Sequence, residues 1–248
     1  MMSNHTKVNR PAPLRNVAAF STLLTKLVGR DGDLPGLACF YGPSGWGKTK
    51  SAVYGATRHR AAYVECGQFT TARSLMSSIL RELGEPNPRG TIEAMKDRAI
   101  MLMAGAPHRP VIVDEAHFIA SKRFVDVLRE ISDKSGAAVV LIGEEMLPTA
   151  LEAFERVHNR VLEWLPALPC NEEDFALLAA SRCGAIKIAP DLAAAILDKT
   201  KGNTRRIVVN LVKALETAEI AGLDSMDLAA FGGPDAVVSL ATPRPRRM

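Results

Sequence analysis

Short apolar runs alternate with segments of helical period through the first two thirds of the chain. Residues 37–41, 61–66, 110–114, 137–142 and 161–165 are runs of mostly apolar residues, each too short for a helix, and they read as buried strands. The segments before and between them, 17–28, 49–58, 71–83, 92–103, 122–134 and 147–158, place apolar residues at helical spacing. Leu75, Ile79 and Leu83, for example, share one helical face. The stretch 84–90 holds two prolines and two glycines and reads as a loop. Strands joined by helices imply a parallel sheet covered on both sides. After residue 170 the pattern becomes helical only, over 171–182, 190–201 and 203–221. Asn171 with Asp174 looks like a cap, and Pro190 stands at a helix start.

The expected fold class is therefore α/β. A five-stranded parallel sheet flanked by helices occupies 17–168, and a small all-helical unit follows over 169–232. A polar, basic arm (1–16) and a basic tail (233–248) complete the chain. Lys7, Arg10 and Arg15 lie in the arm, and Arg244, Arg246 and Arg247 in the tail. Apolar residues make up 47 % but aromatics only 5 %, which suits a helix-rich α/β core better than a β-sandwich. A net charge of +4 is compatible with an anionic partner without demonstrating one. Cys39, Cys66, Cys170 and Cys183 lack metal-ligand spacing and are expected as reduced, buried thiols. With neither an apolar run of membrane-spanning length nor a signal-peptide core, a cytoplasmic protein without membrane contact is expected.

The strongest chemical signal is Gly42-Pro43-Ser44-Gly45-Trp46-Gly47-Lys48-Thr49, which fits G-x-x-x-x-G-K-[ST] between a strand and a helix. Glycines let backbone N–H groups converge on phosphates, and the helix N-terminus adds a favourable dipole. Lys48 would carry positive charge to the terminal phosphates, and Thr49 would offer a hydroxyl to Mg²⁺. Lys50 completes the expected nucleotide contacts. Val111-Ile112-Val113-Asp114-Glu115 is an apolar strand ending in two acids. Asp114 would hold Mg²⁺, and Glu115 would polarise the attacking water. ATP and Mg²⁺ are thus the expected cofactors. Ala116-His117 completes a D-E-A-H string shared with helicases. A helicase of that type needs two tandem domains, which this length does not supply along with a helical unit.

Four stretches carry a family resemblance: 40–49, 113–117, Val140-Leu141-Ile142-Gly143-Glu144-Glu145, and Gly202-Asn203-Thr204-Arg205-Arg206. Together the chain resembles the AAA+ ATPases near the origin-recognition branch. Within these it looks most like the transposition target-selection ATPases MuB, TnsC and TniB. The resemblance implies that Glu144 stands at the sensor 1 position, where Asn or Thr is more usual. It implies an arginine finger at Arg160 or Arg156, with Arg160 favoured because it directly precedes a strand. It implies a sensor 2 role for Arg205. It further implies an assembly-stimulated ATPase that forms a homo-oligomeric helical filament on double-stranded DNA. That filament would select target DNA and recruit a DDE transposase in a bacterial cell. DNA contacts would come from Gln68, Thr70, Thr71, Arg73 and Arg89, with Lys122 and Arg123 as weaker candidates. Two alternatives stay open: a helicase- or clamp-loader ATPase like IstB and DnaC, and a nucleotide-sensing module like the ExeA-type ATPases.

Overall fold

The computed structural model describes residues 12–240, so the expectations for Lys7, Arg10, Arg244, Arg246 and Arg247 lie outside the described residues. The chain divides into two compact units, one over residues 15–169 and one formed by the C-terminal part from Cys170 with the segment up to Leu14.

The first unit runs α1 (Arg15–Val28), β1 (Leu37–Tyr41), α2 (Lys48–His59), β2 (Ala62–Glu65), α3 (Ala72–Glu82), α4 (Ile92–Ala104), β3 (Val111–Asp114), α5 (His117–Ala120), α6 (Asp126–Ser135), β4 (Val139–Gly143), α7 (Leu147–Glu152), α8 (Glu155–His158) and β5 (Val161–Pro166). The strands form a single sheet in the order β2-β3-β4-β1-β5, parallel throughout. Successive side chains of a strand point to opposite faces. Ala38 and Phe40 therefore pack with Phe20, Leu24 and Leu27 of α1 and Ala52 of α2. Leu37 and Cys39 belong to the other core, with Leu75 and Ile79 of α3, Met95 of α4 and Ile131 of α6. Both faces are covered, which is why the strands read as continuous apolar runs.

Three helix boundaries differ from the periodicity. α1 starts at Arg15 rather than 17, because Arg15 and Asn16 are tied to the end of the unit. The Arg15 guanidinium donates to the Pro169 carbonyl at 2.5 Å. The segment read as one helix over 122–134 becomes an extended Lys122, a 3-10 turn (Arg123–Val125) and α6, with the short α5 before it. Lys122 leaves helical geometry while its ammonium reaches the carbonyls of Gln68 and Thr70. The segment 147–158 breaks into α7 and α8 at Phe154, which has non-helical dihedrals and packs its ring against the core.

The second unit contains α9 (Glu172–Arg182), α10 (Pro190–Thr200) and α11 (Thr204–Ala221). Asn171 caps α9 by accepting from the Asp174 N–H at 3.0 Å, and Pro190 opens α10. The unit is not wholly helical. β6 (Lys187–Ile188) pairs in parallel with β7 (Ser225–Met226). Nor is the stretch from 233 a loose tail at its start. The buried Asn210 amide clamps Val238 in both directions, at 2.8 and 3.0 Å, and Val237 is buried. All four cysteines are buried. Among the described residues no helix is long and apolar enough to cross a membrane.

Candidate functional site

Parallel strands bring their C-terminal ends to one edge of the sheet, the edge where ligands bind in open α/β folds. Four sequence-predicted elements collect there. The 42–49 loop follows β1, Asp114 ends β3 with Glu115 directly after it, Glu144 follows β4, and the turn at 67–70 follows β2. β4 lies between β1 and β3, so the residue after it stands between loop and acids.

The loop's shape needs its glycines: Gly45 and Gly47 adopt φ of 83° and 85°, which side chains rarely tolerate. α2 starts with no side-chain cap and no acid in its first turn. Its first N–H groups and dipole therefore face the loop uncompensated, which suits an anion. Lys48 is only 8 % exposed and donates to the carbonyls of Gly42 at 2.6 Å and Pro43 at 2.9 Å. Burial lowers its pKa, while Glu115, Asp114, Glu144 and Glu145 act to raise it. Lys48 thus shares one electrostatic environment with all four acids. Thr49 and Lys50 are exposed on the first turn of α2.

Asp114 is 1 % exposed. Its Oδ2 accepts from the Tyr63 hydroxyl at 2.7 Å and its Oδ1 from the Glu115 N–H at 2.9 Å. The bond to Asp114 and burial both raise the Tyr63 pKa, burial contributing most. A neutral phenol orients the carboxylate without cancelling its charge. Tyr63→Phe should therefore destabilise the fold by about 1–3 kcal/mol, the usual cost of stripping a donor from a buried acceptor. Urea denaturation would measure it, and an unchanged midpoint would make the contact energetically idle. Glu115 follows with φ of 53°, a strained value for a residue with a side chain. Burial raises its pKa and Asp114 adds to the rise, against the opposing pull of His117 and Lys48. His117 Nδ1 lies 3.3 Å from Glu115 Oε2 but makes no hydrogen bond.

Among the described residues no group of three or more His, Cys, Asp or Glu side chains is placed to hold a metal ion. A lone buried carboxylate with a hydroxyl at the helix start is instead the donor set of a cation shared with phosphates. Asp114 and Thr49 are the two groups that would hold one.

Other predicted residues lie elsewhere. Arg160 precedes β5, and its carbonyl accepts from the Leu37 N–H at the start of β1. Its guanidinium pairs with Asp133 at 3.3 Å. It lines a cavity of about 430 Å³ with Arg129, Arg156 and Asn159. This is the N-terminal edge of the sheet. The five residues of β1 separate it from Gly42, roughly 16 Å at the rise of a strand. Neither Arg160 nor Arg156 is brought to the chain's own 42–49 loop. Arg205 lies in the first turn of α11, in the second unit. Arg89 is exposed in the loop before α4, its carbonyl held by Arg98 at 2.7 Å. The Thr70 hydroxyl accepts from the Gly67 N–H, and Thr71 caps α3 by accepting from the Ser74 N–H. Gln68 and Arg73 are exposed. Lys122 is turned onto the Gln68 and Thr70 carbonyls rather than outward.

Sequence reasoning missed Asn16, which it assigned to the arm. The buried Asn16 amide donates to the carbonyls of Trp46 and Leu168, both at 2.8 Å, and accepts from the Leu168 N–H. It fastens the 42–49 loop to the chain beyond β5. A single polar residue in the first turn of a helix carries no periodic signal that could have marked it. Tyr63 was missed too, because its partner depends on strand register.

Residues 31–151 match the family model described as AAA domain. No match was found among curated proteins. Several solved structures share the fold. The ORC2 protein of Aeropyrum pernix, in ADPNP–ADP complexes, aligns at TM-score 0.70 with 19 % identity, over 96 % of this chain and 69 % of that one. The ORC1 protein of the same organism, in complex with DNA, aligns at 0.64 with 20 % identity, over 92 % and 65 %. A Walker-type ATPase of Pyrococcus abyssi aligns at 0.59 with 14 % identity, over 84 % and 70 %. At such identities the likeness is one of fold. Residues 31–151 are thus similar to an AAA domain, and the five-stranded parallel sheet flanked by helices is the fold of an AAA+ P-loop ATPase.

Proposed function

We propose that the chain is an ATPase of transposition that assembles as a helical filament on duplex DNA, selects the target and recruits a DDE transposase. The observation that carries the shared-site part of this reading is the separation of Arg160 from the loop at 42–49. An arginine at the N-terminal edge of the sheet cannot serve its own chain's phosphates across the length of β1. It can serve those of a neighbour, which makes hydrolysis depend on assembly.

In this reading ATP lies on the loop 42–49, with Lys48 on its terminal phosphates and Lys50 beside them. Asp114 and Thr49 would hold Mg²⁺, which supplies charge neutralisation at the phosphates when bound. Glu115 orients and deprotonates the attacking water. Glu144 stands between loop and acids in the sensor 1 position. A carboxylate there repels phosphate unless a bridging group intervenes, which distinguishes this site from one with Asn or Thr. Arg205 is the proposed sensor 2 contact. DNA would lie along the surface carrying Gln68, Arg73 and Arg89, through phosphate contacts with steep salt dependence. The DNA part is supported by the fold shared with an ORC1 protein solved in complex with DNA. The transposition role rests on the resemblance of the four motif stretches to MuB, TnsC and TniB.

Negative-stain imaging with duplex DNA tests the proposal. Helical coats are expected with a non-hydrolysable ATP analogue and not without nucleotide. Arg160→Ala should form persistent coats with ATP itself, because it binds without hydrolysing. Closed rings that form without DNA would overturn the filament reading in favour of a loader.

A further inference from the structure

Phe69 is 90 % exposed, more than any other large hydrophobic side chain among the described residues. One exposed apolar residue is ordinary on any protein surface. What sets Phe69 apart is how firmly its backbone is held. The Thr70 N–H donates to the Gly67 carbonyl at 2.9 Å, and the Gly67 N–H donates to the Thr70 hydroxyl at 2.8 Å. Lys122 donates to the carbonyls on either side of Phe69, Gln68 at 3.2 Å and Thr70 at 2.8 Å. On the entry side the Cys66 N–H donates to the Asp114 carbonyl at 2.9 Å. On the exit side Thr71 caps α3 and forms a capping box with Ser74. The turn is braced at both ends and in the middle, yet its ring is left in solvent.

The chemistry around the ring decides what it is for. Gln68, Thr71 and Arg73 are exposed beside it in sequence, and Lys122 braces the turn. Glu65, at the end of β2, is the one acid in the stretch 62–73. An anchor for a protein groove sits at the apolar centre of a patch, and Phe69 is the only exposed large hydrophobic in the stretch 62–73. An aromatic ring among hydroxyl, amide and cationic groups fits bases and phosphates instead.

We propose that Phe69 is a wedge presented to duplex DNA, its ring packing against or between bases while the flanking polar and basic groups meet phosphates. This rests on the DNA-binding reading above. The braces explain why the turn is rigid, since a wedge on a loose loop would lose its gain to ordering. They also join the turn to the segment that carries Asp114, through the bond from the Cys66 N–H to the Asp114 carbonyl.

The test is duplex binding by the full chain with a non-hydrolysable ATP analogue, read by anisotropy over a salt series. A second duplex carrying 2-aminopurine reports local unstacking. Phe69→Ala should bind about 5- to 150-fold more weakly, the span expected for removing one stacking ring. Its salt slope and its affinity for a fluorescent ATP analogue should match the wild type, and the 2-aminopurine signal should disappear. Phe69→Trp should retain binding. Because the side chain is exposed, melting temperatures should not change. If Phe69→Ala binds duplex as tightly as the wild type, the wedge is wrong and the DNA reading stands. If the wild type itself does not bind duplex, both fall. If Phe69→Ala instead fails to self-associate in the absence of DNA, the ring docks on a second copy and the wedge is overturned.

Discussion

Replacing Lys48 with alanine should abolish ATP binding at working concentrations. The side chain supplies the one buried cation of the 42–49 loop, and its ammonium rests on the Gly42 and Pro43 carbonyls at the loop's mouth. A charge-assisted hydrogen bond contributes roughly 1.5–3 kcal/mol, and a lysine engaging two phosphates makes more than one. A loss on the order of a hundredfold or more in affinity is therefore expected. Titration with a fluorescent ATP analogue reads it directly. The substitution also removes two bonds to the loop backbone, so a thermal melt should accompany the titration. A folded variant without affinity supports the site. A variant that binds ATP normally, or still forms ATP-dependent coats on DNA, removes the loop from the proposed role.

The same residue shows how much was legible beforehand. Gly42 to Thr49 carries its identity in local spacing, and so does the run from Val111 to Glu115. Five strands were legible because a sheet covered on both faces makes most strand positions apolar. What local spacing cannot carry is register. The order β2-β3-β4-β1-β5 depends on which strands meet in space. So does the Tyr63 bond to Asp114, which spans adjacent strands where Tyr63 lies beside Ile112 and Glu65 beside Asp114. Asn16 was unreadable for the same reason, its partners lying 30 and 152 residues away. The helix breaks at Lys122 and Phe154 follow tertiary contacts that override propensity. The β6–β7 ladder has two residues per strand, too short to show a period.

Changing Glu115 to glutamine should leave ATP binding intact and slow hydrolysis by about 10²- to 10⁴-fold, the usual contribution of a positioned general base. Glutamine keeps the size of the side chain and its hydrogen-bonding reach, but its amide cannot take a proton from water. The backbone argues that the fold survives. Glu115 already sits at φ of 53°, and glutamine pays the same strain there, so no new steric cost arises. The N–H that donates to Asp114 is a main-chain group and is untouched. The charge change removes a carboxylate from beside Asp114 and Lys48, which lessens the repulsion of phosphate and should hold or tighten ATP binding. A chain that binds but does not hydrolyse should remain on DNA as persistent coats with ATP, as the wild type does only with an analogue. Single-turnover phosphate release separates this from a binding defect. Normal turnover in Glu115→Gln would take the base role away from Glu115 and leave its strained backbone unexplained. Slow turnover with short-lived coats would instead separate hydrolysis from disassembly, and the filament would then need another trigger for release.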